Sequence, residues 1–521
     1  MYSTEARAYD MIFQQHVLYV TGKVSERCRI LASLAGKQWG WRKEHLRRVY
    51  LAAQRSVLDY AAAAWQPWLS DTQLNKLEVS QNKALRLVTG QYSSTPTEAL
   101  RLEAGVESYK THSNRVITIS AEKADRLPQD HPRYKALNPE EAVSHRSKMR
   151  SSWREKTNTL RGKLPISDKP MEPLPSPFTR PWRTAEEPQR RLWKVHSTLP
   201  EPDVPPPDNQ QGNPFSLRSR NVFWDVQEPV PDESQKQMIA QNAIAMIDGY
   251  QVNTVIYTDG SCKGGTEEGG AAAVITTGTA ANPVVLETIM KKGGKYTSSY
   301  EEERSALKEA LKWMLVNQKY DDTVVCSDSQ ALLISIDSMS ADTQDIRDML
   351  DLLHGRTNLH WVPGHTNIPG NESADRAAKE AAKLPDSDDP IPVSYGVAKA
   401  VVKSHVKDEE TQHQVTSESY TGYIRKKADK QTKSRKEGAT LAQLRSGHCL
   451  GLAHYKNRLD QTKSAICPRC EEEDETVRHW IGCPASTRIR EEIFGRADLS
   501  LDVMSTKPKE TLAYAERTLT L

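Results

Sequence analysis

The sequence has no long apolar run, and this absence excludes a large class of membrane proteins. No stretch approaches the ~18 consecutive apolar residues of a membrane-spanning helix. Charged residues make up 27% of the chain, and the mean hydropathy is -0.67. The N-terminus, MYSTEARAYDMIF, lacks the basic-then-apolar order of a signal peptide. We therefore expect a soluble protein with no membrane partner, located inside the cell in the nucleus or the cytoplasm.

The chain also has few cysteines and a small net charge. Seven cysteines among 521 residues do not indicate a disulfide framework in a protein of this kind. The formal net charge is only +3, so composition alone does not announce nucleic-acid binding, which has to be argued from local sites. A chain of this length can hold two or three domains.

What the chain does contain is a set of four carboxylates and one histidine in distinctive local sequences. The motifs are YTDGS (Asp259), SSYEEERSAL (Glu303), VCSDSQAL (Asp328), WVPGHTNIPGN (His365) and GNESADRAA (Asp375). Two divalent cations ~3.5–4 Å apart can catalyse phosphodiester hydrolysis, and Mg²⁺ prefers carboxylate oxygens. Four acids brought together without a cation would repel one another. The pattern therefore predicts a site for two Mg²⁺ or Mn²⁺ ions.

Hydrophobic periodicity places these acids at the ends of strands and near the starts of helices. It predicts strands over 252–260, 270–277, 283–290, 322–328 and 357–365. It predicts helices over 298–318, 342–354 and 371–383, and another that begins in SQALLISI. Two strand ends and two helix starts can bring the acids to one rim of a mixed sheet. The predicted fold class is α/β.

Three consecutive glutamates compete for one place in this set. Glu303 lies one turn before Ala306 and Leu307 and on their side, so it is expected to point inward. Glu301 and Glu302 are expected in solvent. Taken singly, each acid has an ordinary explanation as a turn residue, a helix cap or a first-turn charge. The joint order and spacing favour a metal site.

Residues 252–383 resemble the type 1 ribonuclease H domain, which cuts the RNA strand of an RNA–DNA hybrid. The resemblance implies a mixed five-stranded sheet with flanking helices, and it makes the hybrid the partner. It assigns the two metals to Asp259, Glu303, Asp328 and Asp375. It makes His365 the residue that shuttles protons or assists product release.

The resemblance also implies contacts with RNA 2′-hydroxyl groups, by which RNA is distinguished from DNA. The matching positions are Cys262, Ser299 and Gln330. The bacterial pattern has Asn near Ser299 and Tyr300, so this chain departs from it there. Only one helix-like segment, 342–354, separates the helix after Asp328 from the last strand. The basic protrusion that helps bacterial enzymes grip a hybrid is therefore expected to be absent.

A second candidate metal site lies near the C-terminus. Cysteine and histidine follow the spacing Cys467-x₂-Cys470-x₈-His479-x₃-Cys483, which suits one tetrahedral Zn²⁺. The alternatives are four unconnected residues, or a ligand set in which His448 or His454 replaces one member. We call the first four residues the Cys₃His cluster.

The flanking regions resemble another family. WRKEHLRRVYLAAQRSVLDYAAAAW and KLEVSQNKALRLVTGQYSSTPTEALRLEAGVES resemble the segment after the palm in reverse transcriptases of non-LTR (LINE-like) retrotransposons. LRSGHCLGLAHYKNRL and CPRC…ETVRHWIGCP resemble the zinc-binding tail of those polyproteins. No Tyr/Phe-Ala-Asp-Asp motif of a polymerase palm occurs. The expectation is a C-terminal fragment with nuclease activity and without polymerase activity; the alternative is a nuclease-inactive nucleic-acid-binding remnant of a decayed or domesticated element.

The predicted domain order follows from these segments. A helical thumb-like region (1–126) precedes a Pro-rich, largely disordered linker (127–250), the RNase H domain (251–385), a helical connector (386–445), the zinc module (446–490) and a tail (491–521). The tryptophans of the linker are open to two interpretations: they stack on nucleic-acid bases, or they make occasional contacts with the protein from a solvated spacer. The basic run 425–436 tracks phosphates or forms a solvated helix face. The oligomeric state is not predicted.

Overall fold

The structure is a computed structural model. It describes residues 4–36, 39–137, 153–174, 194–197, 233–265, 267–318, 323–338, 340–353, 357–385, 391–415 and 434–519. Most of the Pro-rich segment 175–232 and the basic run 425–433 lie outside the described residues. Among the helices that are described, none has the length and apolar character needed to cross a membrane.

The described α-helices are numbered here in chain order. They are α1 (Thr4–Leu34), α2 (Lys43–Val49), α3 (Ser56–Asp59), α4 (Ala62–Trp65), α5 (Asp71–Thr89), α6 (Thr97–Ala104), α7 (Tyr109–Asp125), α8 (Pro132–Leu137), α9 (Trp153–Arg161), α10 (Glu233–Asp248), α11 (Ser299–Asn317), α12 (Gln330–Asp337), α13 (Gln344–Leu352), α14 (Pro369–Ala381), α15 (Tyr395–Val415), α16 (Arg435–Arg445), α17 (Ala453–Leu459), α18 (Val477–Gly482), α19 (Thr487–Phe494), α20 (Val503–Thr506) and α21 (Pro508–Thr518). A π-helical stretch, Tyr50–Arg55, joins α2 to α3.

The strands form one sheet. They are β1 (Lys194–Ser197), β2 (Thr254–Cys262), β3 (Gly269–Thr279), β4 (Asn282–Gly294), β5 (Thr323–Ser327) and β6 (Asn358–Trp361), in the spatial order β1-β6-β5-β2-β3-β4. Strands β2, β3 and β4 pair antiparallel, while β5 pairs parallel with both β2 and β6. Strands β2 to β6 are the predicted mixed five-stranded sheet. Strand β1, which the sequence did not predict, adds a parallel sixth strand beside β6.

The chain divides into two compact units. One contains residues 1–120, 151–160 and 403–521, and the other contains residues 121–150 and 161–402. We call the second one the sheet unit, because it holds all six strands, and the first one the helical unit.

Side chains alternate between the two faces of the sheet along each strand, and helices pack against both faces of its central strands. One face carries Ile256, Val325 and Leu359, which pack against α11, α12 and α13. The other face carries Val255, Tyr257, Val324 and Cys326, which pack against α10 and α14. Helix α10 was placed in the linker by the sequence analysis. In the structure it buries Ala240, Ala243 and Ile247 against the sheet, so the packed unit begins before residue 251.

The helical unit confirms the predicted helical N-terminal region. Ser70 and Gln73 form a capping box at the start of α5, and Gly90 ends that helix in the left-handed conformation. Helices α1, α5 and α6 share a core that includes Leu31, Leu85 and Leu100.

The C-terminal residues of the same unit pack further than predicted. The sequence analysis treated 491–521 as a tail separate from the zinc module. In the structure, Phe494, Val503 and Tyr514 share one apolar core with Trp480. The Trp480 indole donates a hydrogen bond to Thr518 Oγ1 at 2.8 Å. The packed module therefore extends through α21.

The helical unit also joins the two ends of the chain through buried polar contacts. The Arg445 guanidinium contacts both carboxylate oxygens of Glu103, at 3.1 and 3.3 Å, and Lys43 contacts the same carboxylate at 2.7 Å. The Arg435 guanidinium donates to the carbonyl groups of Leu87 and Val88 at the end of α5. Removing one partner of such a buried pair leaves an uncompensated charge, so these contacts specify the pairing of the two ends.

Candidate functional site

Three of the four predicted acids meet at one end of the sheet. Asp259 lies near the end of β2, Glu303 in the first two turns of α11, and Asp328 directly after β5. One ligand oxygen from each carboxylate lies within 4.8 Å of the others. Asp259 and Glu303 are each 7% exposed, and Asp328 is half-buried. We call these residues the acid cluster.

Strand register explains why the first and third acids converge. Strands β2 and β5 run parallel, and Thr258 pairs with Ser327. The next residue of each strand is an aspartate, so both carboxylates leave the sheet at the same edge. Gly260 then lets helix α11 approach, because a Cβ atom on Gly260 would collide with the backbone of Glu302 and Glu303. A second glycine, Gly364, has the same effect at Asp328: a Cβ atom there would lie 2.6 Å from Oδ2.

Burial and mutual repulsion raise the pKa values of the acid cluster. Burial, followed by the charge of Asp328, raises the pKa of Asp259 from 3.8 to about 6. Burial and the charge of Asp259 raise the pKa of Glu303 well above its ordinary value. Burial also raises the pKa of Asp328. Like charges in a desolvated site disfavour ionisation, and a cation bound there would reverse the effect.

The donor set therefore fits divalent cations. Glu303 Oε2 is buried and has no hydrogen-bond partner among the described residues. No lysine or arginine of the described chain forms an ion pair with any member of the acid cluster. Buried carboxylates without a compensating cation are costly unless they coordinate a metal.

The fourth acid lies outside this close group. Asp375, in the second turn of α14, forms an ion pair with Lys379 at 2.6 Å. Its charge still contributes to the raised pKa values of Asp259 and Asp328, which places it near the acid cluster. His365 is exposed in the loop after β6 and has a positive φ of 55°. Its charge lowers the pKa of Asp328, so the imidazole lies near that carboxylate.

The three predicted 2′-hydroxyl contacts occupy different environments. Cys262 is half-buried at the end of β2, with Sγ 3.6 Å from the carbonyl oxygen of Thr297 and 3.4 Å from that of Glu267. Ser299 is exposed at the start of α11, and Gln330 is half-buried at the start of α12. Each follows or precedes a member of the acid cluster by four residues or fewer.

Two features of the site escaped the sequence analysis. The Trp361 indole donates to the carbonyl oxygen of Asp328 at 3.1 Å, and Asn371 Nδ2 lies 3.5 Å from Asp328 Oδ2. Glu301 and Glu302 were expected in solvent, and this prediction was wrong: Glu302 is 2% exposed, and Glu301 is half-buried with its carboxylate 3.2 Å from the Arg304 guanidinium. Burial raises the pKa of Glu302 to about 7. Helical periodicity did place Glu302 apart from Glu303, but it gave no indication of the niche that receives Glu302.

The Cys₃His cluster also forms in the structure. One ligand atom from each of its four residues lies within 4.8 Å of the others. Cys470 Sγ is 3.2 Å from His479 Nε2, and Cys467 Sγ is 3.8 Å from Cys483 Sγ. The backbone amides of Glu472 and Glu473 lower the pKa of Cys470 to about 7, which favours the thiolate that binds metal. Burial raises the pKa of Cys483 to about 11.

A carboxylate supports the histidine of this cluster. Glu473 Oε2 lies 3.1 Å from His479 Nδ1, which leaves Nε2 directed at the cysteines. Metal-ligating histidines characteristically donate their other ring nitrogen to a carboxylate or carbonyl group. The donor set of three sulfur atoms and one imidazole nitrogen fits tetrahedral zinc. His448 and His454 are not members of the cluster.

The segment that carries the acid cluster is similar to known proteins. The family model for RNase H matches residues 251–383. Ribonuclease H of Cupriavidus pinatubonensis is 32% identical over 142 residues, which cover 24% of this chain and 91% of that protein. Ribonuclease H of Pectobacterium carotovorum is 29% identical over 151 residues, which cover 26% of this chain and 92% of that protein.

A solved structure is also similar to this chain. RNase H1 from the halophilic archaeon Halobacterium salinarum is 23% identical with a TM-score of 0.21, and the match covers 25% of this chain and 97% of that one. The matched relatives are thus nearly complete RNase H proteins, aligned with one quarter of this chain. Through residues 251–383, the chain belongs to the RNase H family.

Proposed function

We propose that the chain hydrolyses the RNA strand of RNA–DNA hybrids with two Mg²⁺ or Mn²⁺ ions. The observation that carries this proposal is the convergence of Asp259, Glu303 and Asp328 within 4.8 Å, in the segment that places the chain in the RNase H family. The relatives bear the name ribonuclease H, and we extend that activity to this chain.

The acid cluster is proposed to hold the metals, and Asp375 to complete the ligand set. The bound ions supply an activated water and stabilise the leaving oxygen. Asp375 pairs with Lys379 through one carboxylate oxygen, Oδ2, and would offer the other oxygen to a metal. His365, which is exposed and near Asp328, is suited to give a proton to the leaving oxygen or to receive one.

Recognition of the RNA strand is assigned to the same rim. Cys262, Ser299 and Gln330 are the proposed contacts to 2′-hydroxyl groups. A thiol, a hydroxyl and a carboxamide can each donate or accept a hydrogen bond, which is what a 2′-hydroxyl requires. Their positions beside the acid cluster support this assignment.

The test is cleavage of a hybrid labelled on the RNA strand. We expect cleavage by the full chain with Mg²⁺ or Mn²⁺, and none with EDTA. The matched all-DNA duplex should remain intact, and Asp259→Asn should be inactive. A properly folded wild-type chain that leaves the hybrid intact with both metals would favour the alternative, a nuclease-inactive protein that only binds nucleic acid.

A second site is proposed for zinc. Cys467, Cys470, His479 and Cys483 would hold one structural Zn²⁺, which would stabilise the fold without entering the reaction. Metal analysis of protein purified without chelators should give one zinc per chain. If the zinc-free chain melts at the same temperature as the zinc-loaded chain, the proposal that zinc stabilises the fold is contradicted.

The wider context rests on sequence resemblance. We infer that the chain is part of a non-LTR retrotransposon reverse transcriptase, with thumb-like helices before the nuclease and a zinc module after it. The absence of a Tyr/Phe-Ala-Asp-Asp motif supports the inference that this chain does not polymerise DNA. A primer-extension assay with an RNA template, dNTPs and Mg²⁺ tests that inference, and any template-dependent synthesis would overturn it.

A further inference from the structure

The buried side chain of Glu302 occupies a niche that is built for it. The niche lies between the start of β3 and the end of β4 and is lined by two glycines. A Cβ atom on Gly293 would collide with the Glu302 carboxylate, and one on Gly269 would lie 2.9 Å from Glu302 Cγ and Cδ. A side chain at Gly293 would therefore displace the carboxyl group, and one at Gly269 would collide first with Thr297 Cγ2, at 2.2 Å.

The polar contacts of the niche are few. The Thr297 hydroxyl donates a hydrogen bond to Glu302 Oε1. The second oxygen, Oε2, is buried and has no hydrogen-bond partner among the described residues. Lys291 forms its ion pair with Glu309 at 2.9 Å and not with Glu302. The carboxyl group is therefore held by shape and by one hydroxyl, not by an ion pair.

This niche is connected to the acid cluster through one turn of helix. Glu302 and Glu303 are consecutive in α11, and the backbone of both residues is packed against Gly260, the neighbour of Asp259. The Glu302 side chain fills the space toward β3 and β4, whereas the Glu303 side chain points to Asp259 and Asp328. A shift or rotation of this turn would move Glu303 relative to both aspartates.

We propose that Glu302 is a positioning residue for the metal site. Anchored by Thr297 between Gly269 and Gly293, it fixes the first turns of α11 and thereby holds Glu303 at coordinating distance from Asp259 and Asp328. This inference rests on the proposed function. It adds a residue that does not touch metal or substrate but determines how well the acids bind metal.

The experiment uses three variants of the full chain with a labelled hybrid. Glu302→Ala should lower kcat by between about 10- and 100-fold, because misplacement on the order of 1 Å has this effect. It should also raise the half-saturating Mg²⁺ concentration several-fold and leave KM for the hybrid unchanged. Glu302→Gln should stay within about twofold of wild type, since it keeps the shape and the acceptor for Thr297. Glu268→Ala, which removes an exposed glutamate next to Gly269, is the matched control and should behave as wild type.

A double-mutant cycle tests the niche itself. Gly293→Ala should reproduce the defect of Glu302→Ala, because the added methyl group displaces the carboxyl group. In the Glu302→Ala background the three atoms nearest to the added methyl group, all from the Glu302 carboxyl group, are gone, and the same substitution should have no further effect. Full additivity of the two defects, or wild-type kcat and Mg²⁺ dependence in Glu302→Ala, would overturn the proposal.

A second measurement separates this inference from the proposed function. The rise in Tm caused by Mg²⁺ reports metal binding without cleavage. It should be smaller in Glu302→Ala than in wild type and Glu302→Gln at the same Mg²⁺ concentration. If wild type does not cleave the hybrid, the proposed function fails, and equal Mg²⁺-induced shifts in wild type and Glu302→Ala would then refute the positioning role as well.

Discussion

Asp259→Asn is expected to abolish cleavage and, in the absence of metal, to make the sheet unit more stable. The two effects share one cause. Asp259 is 7% exposed and lies within 4.8 Å of two other carboxylates. Its negative charge therefore destabilises the folded protein unless a bound cation compensates it. Asparagine keeps the shape of the side chain and removes the charge. Such a substitution separates the requirement of catalysis from the requirement of folding.

The magnitude follows from the pKa of Asp259. Its ordinary value of 3.8 is raised to about 6, mainly by burial and then by Asp328. At about 1.4 kcal/mol per pH unit, ionisation of this group at pH 8 costs the folded state on the order of 3 kcal/mol. The stabilisation that the protonated group provides is complete below pH 3.8 and is lost as the pH rises through 6. Glu303, whose pKa is raised partly by Asp259, contributes in the same direction.

The assay is calorimetry of the full chain in EDTA between pH 5 and pH 8. The relevant transition is the one that moves when Mg²⁺ is added to wild type. At pH 8 we expect Asp259→Asn to melt higher than wild type, by about 2–4 °C for each kcal/mol gained. The difference should shrink as the pH falls toward 5. In Mg²⁺ the order should reverse, because only wild type gains the full energy of metal binding.

Asp351→Asn is the matched control, because Asp351 is exposed in α13. It should change neither Tm nor cleavage. Asp259→Asn that melts below wild type in EDTA at pH 8, with no pH dependence of the difference, would refute the electrostatic argument. Cleavage by Asp259→Asn at the wild-type rate would refute its assignment as a metal ligand.

Three further predictions concern other parts of the chain. His365→Ala should lower kcat for hybrid cleavage by about 100-fold with little change in KM, since a proton-transfer group acts on the chemical step; an unchanged kcat at every pH between 6 and 9 would exclude that role. Glu473→Ala should weaken zinc binding about 10-fold by releasing His479, as measured by competition with a chromophoric chelator, while hybrid cleavage by the zinc-loaded protein stays at the wild-type rate. Ile247→Ala should destabilise the sheet unit by about 2–5 kcal/mol in denaturant melts, because this side chain is fully buried in α10. Met246 is 43% exposed on the same helix, so Met246→Ala should have little effect. Equal effects of the two substitutions would show that α10 does not belong to the folded unit.

Local sequence was sufficient for the parts of the fold that depend on neighbours along the chain. Strands β2 and β5 are runs rich in β-branched residues, each leading to an aspartate, and β-branched side chains favour the strand conformation. The capping box at Ser70 and the left-handed Gly90 followed from residue chemistry within a single turn. The spacing of the Cys₃His cluster already predicts that Cys467 lies near Cys470 and His479 near Cys483. Only the contact between these two pairs depends on the fold.

The tertiary structure decided what depends on distant partners. Glu302 looks like a surface residue in its own helix, and only the approach of Gly269 and Gly293 from β3 and β4 shows that it is enclosed. Helix α10 and strand β1 fall in the Pro-rich segment that was predicted to be a linker. Both pack against the assembled sheet, to which they are distant in sequence. The pairing of Glu103 with Arg445 spans 342 residues. Hydrophobic periodicity predicts that a side chain faces a core. The residues that enclose it come from other helices and strands, and a local sequence pattern does not encode how those elements pack.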